Sequence, residues 1–257
     1  MRARVDDHRQ RGYRGHSIKI GARDDEGGPA LDAERIRASL ADRQQGEWFL
    51  VDANMGLTPE TARRLFALLP QGLDFVLESP CATWHETMSV RRACPYPLIL
   101  DELATTDDDL IKAIELDIAD GIGLKITPAG GFTPARRQRD IARAAGLILT
   151  VQDTVGSELS YAAVVQFGAT VPPDTLRCVL KTSDMVTRRV AQFDALEMYG
   201  GVLPPELPGL GVVVDEHADP TRREARVEPG QLDVDDPREL VGGQVPGLGQ
   251  DKLGDEL

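Results

Sequence analysis

The hydrophobic positions fall into short blocks at regular spacing. Mostly apolar runs end near residues 20, 51, 77, 100, 126, 151 and 180, each flanked by polar residues. Runs this short and this apolar predict strands buried on both faces, as in a parallel sheet. The stretches between them carry helical spacing. Leu31, Ile36 and Leu40 mark a helix within 30–45, and Thr58-Pro59 supplies an N-cap followed by proline at the first helical position. Further helices are expected at 58–69, around Trp84–Arg92, from Thr106 onward, from Thr133-Pro134 to Gly146, and at 157–167. In the helix after Thr106, three aspartates sit at the positive end, and Leu110, Ile111, Ile114 and Ile118 form the expected buried stripe. Residues 1–12 read as the second half of a helix closed by Gly12.

Strict strand–helix alternation predicts an α/β fold with right-handed crossovers, a TIM-like (β/α)7β barrel. Seven strands are expected where an eight-stranded barrel is usual, so the barrel is expected to be incomplete, lacking its first strand. Residues 1–214 are expected to form the barrel domain. Residues 215–257 turn to Asp, Glu, Arg, Gly and Pro, and read as a disordered acidic tail.

The strand ends carry the chemistry. Trp48-Phe-Leu-Val runs into Asp52-Ala-Asn54, Phe75-Val-Leu into Glu78-Ser-Pro80, and Leu98-Ile-Leu into Asp101-Glu102. Lysines occupy two further runs, Ser17-Ile-Lys19-Ile and Gly123-Leu-Lys125-Ile. From Lys19 to Asp52, Glu78, Asp101 and Lys125 the intervals are 23 to 33 residues, about the roughly 30 of one βα unit. Such folds place their chemistry at the C-terminal ends of strands. Three carboxylates meeting there would repel one another unless a hard dication, Mg²⁺ or Mn²⁺, lies between them. With a lysine on each side, the set suits removal of the proton α to a carboxylate, the enediolate being stabilised electrostatically.

Composition narrows the partners. A net charge of −13 excludes a nucleic-acid binder but leaves room for a small carboxylate substrate held through a cation. No apolar stretch reaches the roughly 20 residues of a membrane span. Three cysteines without metal-ligand spacing (Cys81, Cys94 and Cys178) and the lack of a signal-peptide core point to a cytoplasmic protein. His16, His85 and Trp84 read as structural, and Gly130-Gly131 as a plain loop.

Together these pieces resemble the barrel domain of the enolase superfamily, in its mandelate racemase/muconate lactonizing enzyme group. The matching residues are Gly12-Tyr-Arg-Gly-His-Ser17-Ile-Lys19-Ile-Gly21, Asp52-Ala-Asn54, Glu78-Ser-Pro80, Asp101-Glu102 and Lys125-Ile-Thr-Pro-Ala-Gly-Gly131. Asp184-Met185 and the Gly/Pro-rich 201–212 fit its C-terminal pattern. The resemblance implies Mg²⁺ on Asp52, Glu78 and Asp101, with Lys19 and Lys125 as acid/base catalysts on opposite faces of the substrate. It implies substrate contacts at Gln152 and Asp153. Ser17 and Asn54 are expected on the substrate side, and Glu102 behind the metal ligands. Where the group usually has Lys-x-Lys, this chain has Ser17-Ile-Lys19, similar to the cis-3-hydroxy-L-proline dehydratase branch. Dehydration of that substrate, or of a similar hydroxy amino acid, is therefore expected. Epimerisation of amino-acid derivatives on the same frame is the alternative. The N-terminal capping domain of the family is not matched, so a barrel remnant without activity is the non-enzymatic alternative. The family's habit of oligomerising leaves room for a homo-oligomer in which a neighbour completes the strand set.

Overall fold

The computed structural model describes residues 1–215 apart from 155, 182, 184, 185, 187 and 188. Asp184-Met185 and nearly all of the expected tail lie outside the described residues.

Seven parallel strands, β1 (Gly15–Lys19), β2 (Trp48–Asp52), β3 (Val76–Glu78), β4 (Leu98–Leu100), β5 (Gly121–Lys125), β6 (Ile148–Gln152) and β7 (Leu176–Val179), pair strictly in chain order. Helix α1 (Arg2–Gln10) precedes β1, and α2 (Gly28–Leu40), α3 (Pro59–Leu68), α4 (Trp84–Arg91), α5 (Asp107–Glu115), α6 (Ile126–Ala129), α7 (Phe132–Ala144) and α8 (Glu158–Gly168) fill the connections. The sheet curls into a nearly closed barrel. A Cβ built on Gly15 of β1 would stand 3.7 Å from the Cβ of Cys178 on β7.

Local signals set the helix starts. Thr58, Thr83 and Thr106 each accept a backbone N–H three residues on, and Ser157 accepts one two residues on. Each hydroxyl satisfies an amide that the helix itself cannot. The expected stripe of α5 needs one correction. Leu110 and Ile118 are fully buried and Ile114 packs at the margin, but Ile111 is 44% exposed. Its place between Leu110 and Ala113 turns it off the buried face, and Ala113 takes the inward position instead. Short α6 splits what the sequence suggested was a loop. Four three-residue strands near the C-terminus, β8 (Ala191–Phe193), β9 (Leu196–Met198), β10 (Gly201–Leu203) and β11 (Val212–Val214), were not foreseen; β8 pairs with β11 and β9 with β10.

Strand alternation then sorts side chains into an outer layer, made of two clusters against the helices, and an inner one. Ile18, Phe49, Val51 and Leu77 point outward to meet Ile36 and Leu65 of the helices. Leu50, Val76 and Ile99 point inward as a separate buried cluster. Each inward residue stands two positions before a carboxylate, Asp52, Glu78 or Asp101, and therefore faces the same way. The apolar floor of the barrel is thus built directly beneath the acids, at about 2 kcal/mol of burial per residue.

Candidate active site

Register brings the acids into a row. Lys19 is opposite Asp52, and Asp52 opposite Glu78, while Glu78 pairs with Ile99, two residues before Asp101. On the far side Lys125 is opposite Gln152. The three carboxylates therefore occupy one end of the barrel on consecutive strands, flanked by β1 and β5 with their lysines. All three acids are nearly inaccessible, at 3%, 1% and 4% exposure.

Each acid has its own partners. Asp52 accepts the Lys19 ammonium on Oδ2 and the Asn54 backbone N–H, at 2.8 Å, on Oδ1. Asp101 Oδ2 lies 2.5 Å from Lys125 Nζ. Glu78 has no lysine of its own and accepts Gln152 Nε2 at 2.8 Å. Burial pushes the Glu78 carboxyl well above its usual range, with the charges of Asp52 and Asp101 adding to the effect. Burial likewise raises Asp101 to about 7; Lys125 opposes this, and Glu102 and Asp52 reinforce it. Burial pulls the Lys125 ammonium down, but Asp101, Glu102 and Glu78 outweigh it and the net shift is upward.

The remaining expected residues are distributed as follows. Ser17 shares the inward face of β1 with Lys19, opposite the buried His16 and Ile18. Asn54, in the left-handed region at φ 41°, donates its side-chain amide to Glu102 Oε1 at 3.3 Å, so these two link the loops after β2 and β4. The other oxygen of Glu102 is buried without a protein partner. Gln152, expected to touch substrate, donates its side-chain amide to Glu78 Oε1 and Thr150 Oγ1. Asp153, expected beside it, uses both oxygens on Thr127, Thr154 and Ser160. His16 is packed on Phe49, 3.4 Å from Glu47, as a structural residue would be.

Two contributors escaped the sequence. Thr150 steadies Gln152 from two residues back on the same face of β6. Gly123 leaves the space in which Gln152 reaches Glu78. A Cβ there would collide with the Gln152 amide and stand 2.9 Å from Glu78 Oε1. Alternation along β6 and two glycines in five residues of β5 were the available signals.

Mg²⁺ requires hard oxygen donors, and the row offers three carboxylates. As they stand, Asp52 and Asp101 are turned to their lysines, and among the described residues no three His, Cys, Asp or Glu side chains are grouped closely enough to enclose an ion. The donor set nevertheless fits. Glu78 is buried against two like charges with a single amide donor, an arrangement that a dication relieves.

Comparison with known proteins agrees with this fold. A family described as enolase C-terminal domain-like matches residues 1–218. A cis-3-hydroxy-L-proline dehydratase from Roseibium aggregatum is 29% identical over 225 residues, covering 87% of this chain and 60% of that protein. A mandelate racemase/muconate lactonizing enzyme-type structure from Roseovarius nubinhibens ISM, complexed with magnesium, is 56% identical with a TM-score of 0.82, covering 84% of this chain and 59% of that one. One from Aspergillus oryzae is 48% identical with a TM-score of 0.79, covering 83% and 58%. The chain thus spans about three fifths of the length of these relatives. Among the described residues no helix is long and apolar enough to cross a membrane. The chain belongs to the enolase superfamily, as a C-terminal barrel domain of the mandelate racemase/muconate lactonizing enzyme type.

Proposed function

We propose that this barrel removes the proton α to the carboxylate of a small hydroxy amino acid and expels the neighbouring hydroxyl, with cis-3-hydroxy-L-proline as the substrate. The observation that carries the reading is the arrangement of amines and acids. Lys19 and Lys125 bracket the row Asp52, Glu78 and Asp101 from two sides, each already in contact with an acid of that row.

Asp52, Glu78 and Asp101 would hold Mg²⁺, which when bound supplies positive charge to the substrate carboxylate as its α-carbon loses a proton. One lysine takes that proton. The other, on the opposite face, stands where it can give a proton to a departing oxygen. The Cα–H and Cβ–O bonds break, water leaves, and the resulting enamine tautomerises to a cyclic imine. Ser17, on the Lys19 face, is suited to bonding the substrate hydroxyl. The dehydratase from Roseibium aggregatum supports this choice of substrate.

The test is incubation of the purified chain with cis-3-hydroxy-L-proline and Mg²⁺, following loss of substrate and gain of the imine. Dehydration that disappears in Lys19→Ala and Lys125→Ala is the expected result. Inversion of amino-acid derivatives without water loss would replace the reading with epimerisation. Failure to exchange an α-proton from any such carboxylate in ²H₂O would leave a barrel without activity.

A further inference from the structure

Both lysines end their strands, Lys19 running into irregular backbone and Lys125 into the single turn of α6, and a long amine is only as well placed as the backbone beneath it. In each case a buried carboxylate holds the residue two positions beyond the lysine. After Lys19, the Gly21 and Ala22 N–H groups donate to Asp32 Oδ2 at 2.8 and 3.0 Å. After Lys125, the Thr127 N–H donates to Asp153 Oδ1 at 3.2 Å and the Thr127 hydroxyl to Asp153 Oδ2 at 2.9 Å. Asp32 comes from the helix that follows its lysine strand, and Asp153 from the end of the next strand. The same solution is reached from two unrelated places in the chain.

Neither carboxylate is incidental. Asp32 is wholly buried and Asp153 is 5% exposed. Burying an ionised carboxylate is costly unless its oxygens are satisfied, and here they are satisfied largely by the backbone that follows each lysine. Asp153 also takes the Thr154 N–H at 2.8 Å and the Ser160 hydroxyl at 3.3 Å, while Asp32 Oδ1 meets Arg35 at 3.4 Å. Charge-assisted bonds of this kind are roughly twice as strong as neutral ones. Gly21 adds a second constraint. It holds φ at +102°, and a Cβ there would stand 3.3 Å from the Ala53 carbonyl, so the turn after Lys19 packs on the loop that follows Asp52.

We infer that Asp32 and Asp153 are positioning residues, one for each lysine, and that each governs proton transfer on its own face of the substrate. This rests on the two-lysine reading above, so its test has one arm that needs no turnover. In the first arm, amide hydrogen exchange is measured on the full chain. Asp32→Asn should quicken exchange at residues 21 and 22 and Asp153→Asn at 127 and 154, each at least tenfold and each sparing the other segment. The second arm follows α-deuteration of L-proline and of D-proline in ²H₂O with Mg²⁺, two probes whose α-hydrogens point to opposite ring faces. Each variant should slow one enantiomer about tenfold in kcat with little change in KM, and the two variants should affect opposite enantiomers.

If either aspartate variant folds poorly, Thr127→Val removes one bond to Asp153 from an exposed position and should give a weaker form of the Asp153 pattern. Ser160→Ala, which leaves the Thr127 bonds intact, should not. Unchanged amide exchange in the variants would overturn the bracing. Quickened exchange with equal slowing of both enantiomers would overturn the assignment of one brace to one lysine. If the unmodified chain deuterates neither proline, the proton-abstraction reading is what fails, and the amide arm alone decides whether the braces exist.

Discussion

Glu47→Gln should lower stability by about 3 kcal/mol at neutral pH and by almost nothing in strong acid. Glu47 immediately precedes β2 and its carboxylate is fully buried. Arg9 of α1 grips it with two nitrogens, Nε at 2.6 Å from Oε1 and Nη2 at 2.9 Å from Oε2, and the Gln44 N–H adds a third bond at 2.8 Å. The Arg9 bond chiefly holds the carboxyl at about 2, against an ordinary 4.5. At about 1.4 kcal/mol per unit this is roughly 3 kcal/mol, in line with the roughly 3–5 lost when one member of a buried pair is removed. It is a large share of a total stability of about 5–15 kcal/mol.

The sign follows from the depressed value. A carboxyl whose folded pKa lies below its unfolded one stabilises the fold above 4.5, and the contribution fades as pH falls from 4.5 through about 2. Burial holds His8 and His16 below 6.5, so acid weakens both proteins through them as well. The difference between wild type and variant cancels His8 and reads Glu47 together with its contact to His16, whose imidazole the Glu47 charge pulls back up. Urea melts from pH 7 to pH 2.5, read by the fluorescence of neighbouring Trp48, would measure it. A gap below about 1 kcal/mol at pH 7, or one that stays constant down to pH 3, would refute the account.

Gly123→Ala should destabilise by about 1–3 kcal/mol through overpacking and weaken Mg²⁺ binding, because the new methyl displaces Gln152 from Glu78; calorimetric titration and urea melts check both. Glu78→Gln should make the metal-free chain no less stable, since it removes a buried carboxylate set against two like charges, while abolishing the rise in midpoint that Mg²⁺ gives wild type, about 2.7 kcal/mol at a hundred times its Kd. Thr106→Ala, which opens the reciprocal cap with Asp109, should cost about 1 kcal/mol in urea denaturation without changing Mg²⁺ affinity.

What the sequence made legible was everything marked by an abrupt change of polarity. A buried parallel strand is apolar until it leaves the sheet, so the first charge after the run marks its C-terminal end. That is why the sequence alone places Asp52, Glu78 and Asp101 on neighbouring strand ends. Partnerships across the barrel left no such mark. Gln152 and Glu78 are 74 residues apart and meet only because Gly123 lacks a side chain between them. Asp153 follows β6 as plainly as Asp52 closes β2, and it turns to Thr127 in α6. Position along the chain tells where a side chain begins, and its neighbours decide where it ends. Strands β8 to β11 are three residues each and largely exposed, too short for an alternation pattern to emerge.

The two ends of the barrel carry opposite electrostatics. Glu47 and Asp120 stand just before β2 and β5, at the strand starts, and both are held below the usual carboxylate range. Burial would raise Asp120, but Arg91, at 2.6 and 2.9 Å, and the Leu98 N–H outweigh it. Glu78 and Asp101 close β3 and follow β4, at the strand ends, and burial with like charges drives both upward. In linkage terms the first pair adds stability that is lost as the solution turns acid. The second pair subtracts stability once pH exceeds its unfolded values, and regains it on protonation. A sheet whose strands all point one way can separate these tasks, because every strand start lies at one end and every strand end at the other. The ion pairs beneath offset the strain of the row above, and that strain is what a bound cation would relieve. The upper rim has ion pairs of its own, Lys19–Asp52 and Lys125–Asp101, but among the described residues they leave Glu78 without a cation in contact, and it is there that a dication has the most to relieve.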